Sequence, residues 1–194
     1  MTEPVLQRAS LVPYDSYPIH ELLRRTARQL PDTTAVIDGE RHFTFRHLDD
    51  YSDRFAAALV RLGVCKGDTI GILAPNCVEF EIAFFGITKA GAIATTLNSG
   101  YREREIAHQI NNSGAKVLVA HQNLAQIAQT SLDDTPELIR LIVIKETSSD
   151  PESFWGMIEN GYHTPPAIAI DPKGDLAALP YSSGTTGISK GVML

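Results

Sequence analysis

Two hydrophobic periods alternate along most of this chain, and that alternation limits the folds open to it. "TIGILA" (69–74), "AIATTLN" (92–98), "AKVLVA" (115–120) and "LIRLIVIK" (138–145) are short apolar runs of strand length. Between them lie stretches that read as helices. "CVEFEIAFFGITKAG" (77–91) is apolar nearly all round and is expected as a buried helix ending at Gly91. "REREIAHQINNSG" (102–114) exposes its charges, buries Ile106 and Ile110 and ends at Gly114; a weaker helix follows from His121. Strands interleaved with helices on this scale imply an α/β fold, with a largely parallel sheet flanked by helices on both faces. Runs such as "AKVLVA" and "LIVI" suit strands covered on both sides.

Before the alternation, residues 1–15 read as a loose arm. After Ser16 and Pro18, a helix is expected with Ile19, Leu22, Leu23, Thr26, Ala27 and Leu30 on its apolar side. "AVIDGERHFTF" reads as two strands around the turn dipeptide Asp38-Gly39. Thr44 is a candidate helix cap, with His47 where a capping box would have Glu or Gln. Leu48, Tyr51, Phe55, Leu59 and Leu62 form the next stripe, and Gly63 stops it. From Thr147 to Lys173 the chain reads as irregular, with a short helix around Phe154–Glu159; "DLAALPY" then resumes as a strand, Pro180 falling at its end or on an edge. Trp155 is expected in the core.

Size and charge narrow the function classes. A 194-residue chain with 43% hydrophobic residues can bury a sizeable core, and a net charge of −6 disfavours general nucleic-acid binding. No apolar leader or bilayer-length run is visible, so a cytoplasmic protein without a membrane partner is expected. Cys65 and Cys77 lack metal or redox spacing and read as reduced, packing thiols. The six histidines show no metal-binding spacing, and no metal ligands are assigned. Asp49-Asp50 and Asp133-Asp134 read as solvated charge.

The chemistry is concentrated in "YSSGTTGISKGVML" (181–194), where eight of the ten residues from Ser182 to Gly191 are Ser, Thr or Gly. Glycines 184, 187 and 191 allow close backbone approach to a ligand, and consecutive N–H groups can converge on an anion. Ser182, Ser183, Thr185 and Thr186 add hydroxyl donors, and Lys190 adds a positive charge. This is not the common P-loop: counting from Gly184, the second glycine would fall at Ser189, and Gly191 stands where Ser or Thr should follow the lysine. "GVML" is strand-like, so the loop is expected to bind phosphate as a hairpin and not as a helix cap. A flexible linker of the same composition is the alternative, although apolar runs flank the loop and a lysine lies within it.

The same stretch resembles the phosphate-binding signature of the adenylate-forming superfamily, most closely its acyl- and aryl-CoA ligase branch, which includes 4-coumarate–CoA ligases and fatty-acyl-CoA synthetases. Ser189 departs from the proline usual in that pattern. The segments "FTFRHLDDYSDRFAAALVRLGVCKGDTIGILAPNCVEFEIAFFGITKAGAIATTLN" and "YREREIAHQINNSGAKVLVA" resemble scaffold of the same enzymes. The resemblance implies that residues 1–194 are an incomplete N-terminal portion of an adenylation domain, with 181–191 as its phosphate loop. It implies contacts from Ser182, Ser183, Gly184, Thr185, Thr186 and Lys190 to ATP phosphates, with Gly187 shaping the turn. It further implies Mg2+ and ATP as cofactors, a carboxylic acid and coenzyme A as substrates, and a missing C-terminal part of the same enzyme, without which the chain alone is inactive. A stand-alone, non-catalytic nucleotide-binding module is the alternative.

Overall fold

The computed structural model describes residues 16–136, 138, 140–145, 150–160, 164, 167–182 and 190–194. The expected arm over 1–15 and His163 lie outside the described residues. Its centre is a parallel sheet of four strands, β3 (Thr69–Leu73), β4 (Ile93–Leu97), β5 (Ala115–His121) and β6 (Arg140–Ile144), in the order β4-β3-β5-β6. Helices α2 (Phe45–Arg61), α3 (Val78–Lys89) and α6 (Phe154–Glu159) lie on one face, and α4 (Glu103–Ser113) and α5 (Ala125–Ser131) on the other.

Side-chain alternation along the strands divides the core. Ile70, Ile72, Val117, Val119, Ile142 and Ile144 face α2, α3 and α6, whereas Leu73, Leu97, Leu118 and Ala120 face Ile106 and Ile110 of α4 and Ala128 of α5. This is the doubly covered α/β sheet read from the apolar runs.

α3 is enclosed as its composition requires. α2 packs so closely that a Cβ on Gly86 would lie 2.8 Å from Phe55 Cδ1 and 3.1 Å from the Ser52 carbonyl oxygen. α2 begins with a capping box in which an imidazole replaces the usual carboxylate. His47 N–H donates to Thr44 Oγ1 at 3.2 Å, and Thr44 N–H donates to His47 Nδ1 at 3.3 Å.

Several expectations need correction. α1 (His20–Gln29) buries Leu23 and Ala27 but leaves Ile19, Leu22 and Leu30 exposed, because it lies outside the layer and touches α2 and α3 with one narrow side. Leu62 is likewise exposed at the end of α2. Strands β1 (Thr34–Asp38) and β2 (Arg41–Thr44) form the expected hairpin, but its turn residues are Gly39 and Glu40. Asp38 pairs with Arg41, and its Oδ2 also accepts Val78 N–H at the start of α3. Trp155 is half-buried: its ring packs on Tyr51 and Phe154, while Nε1 donates to buried Glu79 at 3.1 Å. Arg41 binds the same carboxylate at 2.7 Å, tying the hairpin and α6 to α3.

Asp49 is not simply solvated. Lys89, whose side chain is 1% exposed, places Nζ 2.6 Å from both Asp49 Oδ1 and Asp53 Oδ1. Lys89 also donates to the Asp49 carbonyl and to Ser52 Oγ, and Arg24 of α1 reaches Asp53 at 3.0 Å. The ammonium is tolerated in the interior because its protons are met by oxygens on every side. Asp50 instead pairs with Arg54 at the surface, and Asp133-Asp134 falls in a 3-10 turn, Leu132–Asp134.

His20 is buried above this cluster. Burial first, then the Arg24 and Lys89 cations, lowers its pKa against the opposing pull of Glu21 and of the Thr88 carbonyl.

Two stability predictions follow from this cluster. Lys89→Ala leaves two carboxylates without their buried counter-ion and should lower unfolding free energy by about 3 kcal/mol in urea titrations. His20 binds fewer protons folded than unfolded, so its contribution is complete above the ordinary imidazole pKa of about 6.5 and is lost as pH falls through it towards the lowered folded value. His20→Gln should therefore flatten the fall in urea midpoint between pH 7.5 and pH 5.

Candidate phosphate-binding site

Beyond β4 the chain returns to the sheet at a single parallel bridge, Ala94 to Ala178. Ala94 N–H donates to the Ala177 carbonyl, and Leu179 N–H donates to the Ala94 carbonyl at 2.8 Å. Of "DLAALPY", Ala177–Leu179 meets β4, and β7 proper spans Tyr181–Ser182. Pro180 turns its missing N–H away from β4. The Pro180 carbonyl accepts Val192 N–H on the other side.

β7 pairs antiparallel with β8 (Lys190–Gly191), Tyr181 opposite Gly191 and Ser182 opposite Lys190. These flanks match the hairpin expected from the strand-like "GVML". Directly opposed residues in an antiparallel pair share a face, so the exposed Ser182 and Lys190 side chains stand together. Ser183, Gly184, Thr185, Thr186, Gly187 and Ser189 lie outside the described residues. Because Ala178 runs parallel to β4, the ribbon opens beyond the carboxyl ends of the parallel strands, where open α/β sheets bind ligands.

The contacts beneath the ribbon could not be read from sequence. Thr95 Oγ1 donates to the Leu179 carbonyl at 2.8 Å, and Gln109 Nε2 donates to Thr95 Oγ1 at 2.8 Å and to the Thr96 carbonyl at 3.0 Å. Thr95 and Gln109 are both fully buried. Tyr181 O–H donates to Asn112 Oδ1 at 2.5 Å, and burial raises its pKa. No local motif marks these partners, which lie 69 residues apart for Tyr181 and Asn112 and 84 apart for Thr95 and Leu179.

Neither cysteine offers a nucleophile for this site. Cys77 caps α3, but burial pushes its thiol up to about 11, with Glu79 adding to the rise and a Phe80 backbone contact opposing it. Cys65 is exposed and is not the packing thiol expected. Among the described residues no group of three His, Cys, Asp or Glu side chains could hold a metal ion, so these residues provide no set of ligands for Mg2+. Among them, too, no helix is long and apolar enough to cross a membrane.

The fold and the ribbon together define a class: an α/β domain with a doubly covered parallel sheet and an antiparallel β7–β8 ribbon joined to its β4 edge. The chain belongs to the AMP-binding enzyme family, whose model matches residues 23–194. A 4-coumarate–CoA ligase of Oryza sativa subsp. japonica is 38% identical over 185 residues, covering 93% of this chain and 33% of the relative. A long-chain-fatty-acid-CoA ligase from Archaeoglobus fulgidus superposes with a TM-score of 0.84 at 25% identity, over 93% of this chain and 37% of that one. An anthranilate CoA ligase in complex with anthranoyl-AMP also gives 0.84, at 30% identity, over 92% and 33%. The chain thus spans about a third of the length of the curated relatives it matches.

Alkylation tests the thiol assignment: iodoacetamide at pH 7.5 should label Cys65 rapidly and Cys77 hardly at all until the protein is unfolded, as read by peptide mass spectrometry.

Proposed function

We propose that this chain supplies the ATP-phosphate-binding part of an ATP-dependent acid–thiol ligase. In the proposed reaction a carboxylate attacks the α-phosphate of MgATP, giving an acyl-adenylate and pyrophosphate; coenzyme A then displaces AMP to form a thioester. The observation that carries this reading is the register of the ribbon, which sets Ser182 opposite Lys190 at the carboxyl edge of the sheet in a member of the AMP-binding family. The relatives' names and the anthranoyl-AMP complex support adenylate chemistry and a thiol acceptor.

Ser182, Ser183, Gly184, Thr185 and Thr186 are the proposed donors to the phosphates, with Gly187 shaping the turn. Lys190 meets the charge that builds on the departing pyrophosphate. Magnesium enters with the nucleotide, held through phosphate oxygens and water, as its preference for substrate phosphates allows. A cytoplasmic location accords with two free cysteines and a nucleotide substrate.

Carboxylate-dependent exchange of pyrophosphate into ATP tests the reading on the full-length protein. Lys190→Ala should slow exchange about 10- to 100-fold, the loss of one charge-assisted hydrogen bond. ATP binding without exchange for any acid would instead favour a non-catalytic module.

A further inference from the structure

We propose that Asn112 is a positioning residue for the phosphate ribbon: by holding the Tyr181 hydroxyl it decides which way Ser182 and Lys190 face. The inference rests on the phosphate reading of the ribbon and extends it to a helix that no part of that reading involves.

β7 and β8 pair at two positions, and the same register runs back through the Val192 N–H to the Pro180 carbonyl and the mutual bonds of Ala178 and Leu194. That pairing fixes which residues oppose each other, while the tilt of the end that bears Ser182 and Lys190 is set by its contacts to the rest of the domain. On the sheet side the backbone ladder ends at Leu179, whose carbonyl accepts the Thr95 hydroxyl. Among the described residues, the side-chain hydrogen bond that ties the ribbon to a helix is Tyr181 O–H to Asn112 Oδ1.

Residue faces turn this bond into an orienting one. Successive side chains in extended backbone point to opposite faces. Tyr181 is therefore on the opposite face from its neighbour Ser182, and Ser182 shares its face with Lys190. Fixing the Tyr181 ring against α4 presents Ser182 and Lys190 away from the helix.

Gly191 allows that placement. A Cβ there would lie 3.1 Å from Leu179 Cδ1 and 3.3 Å from both Tyr181 Cε2 and Cζ, so any side chain crowds the ring. Glycine after the lysine leaves the ring its place without displacement. Gln109, three residues before Asn112 on the same side of α4, grips Thr95 and through it the Leu179 carbonyl. One helix thus holds both the approach to the ribbon and the ribbon itself.

MgATP titrations of the full-length protein test this with Asn112→Ala, Tyr181→Phe and the double variant, alongside Lys190→Ala. Each single latch variant should weaken MgATP binding about three- to tenfold. The double variant should lose no more than either single one, since both delete the same bond. Unfolding midpoints should stay at the wild-type value, separating orientation from general destabilisation. Gly191→Ala should weaken binding in the same way through the crowded ring. Wild-type affinity in Asn112→Ala and Tyr181→Phe, with binding lost in Lys190→Ala, overturns the latch and leaves the phosphate reading standing. Wild-type affinity in Lys190→Ala, or no MgATP binding by the unaltered protein, overturns the phosphate reading and the latch with it.

Discussion

All five residues of β3, Thr69 to Leu73, are buried, and that burial organises the domain. A strand with no exposed face must have a strand on each side and a helix layer above and below. β4 and β5 supply the first and α3 and α4 the second. With both neighbours parallel, the carboxyl ends of the strands collect on one edge. The β7–β8 ribbon is bound to the sheet by the bridge between Ala94 and Ala178. The position of the ribbon is therefore set by where the apolar core allows polar backbone to surface.

The second layer of α3 shows how ionic groups are fitted into the same plan. Lys89 and Glu79 lie at opposite ends of the helix, and each is nearly inaccessible to solvent. Glu79 gathers Arg41 from the hairpin and Trp155 from α6, while Lys89 gathers Asp49, Ser52 and Asp53 from α2. Hydrophobic contact fills the space between elements but is tolerant of sliding; directional bonds at both ends of α3 fix where its neighbours sit.

How much of this was legible in the sequence follows from the range of each interaction. The parallel sheet, the enclosed α3, the Thr44–His47 cap and the paired flanks of the terminal loop are written in neighbouring residues or short periods, and they were readable. The exposure of Leu22 and Leu30, the displaced Gly39-Glu40 turn and the half-buried Trp155 depend on which surfaces meet, which local pattern does not encode. The same holds for Asp49: two adjacent aspartates look alike until Lys89, forty residues away, selects one. Of the candidate site, the hydroxyl and lysine donors were visible as a cluster, whereas Thr95, Gln109 and Asn112 are ordinary helix and strand residues until the fold brings them under the ribbon.

The segment from Ala177 to Pro180 has a wider consequence. It is bonded to Ala94 of β4 on one side and to Val192 and Leu194 on the other, in one register with the Tyr181–Gly191 and Ser182–Lys190 pairs. A displacement of β4 is therefore carried through backbone bonds into the ribbon. Substitutions in the core that move this edge of the sheet reach the ribbon without touching it, so the two cannot be tuned independently.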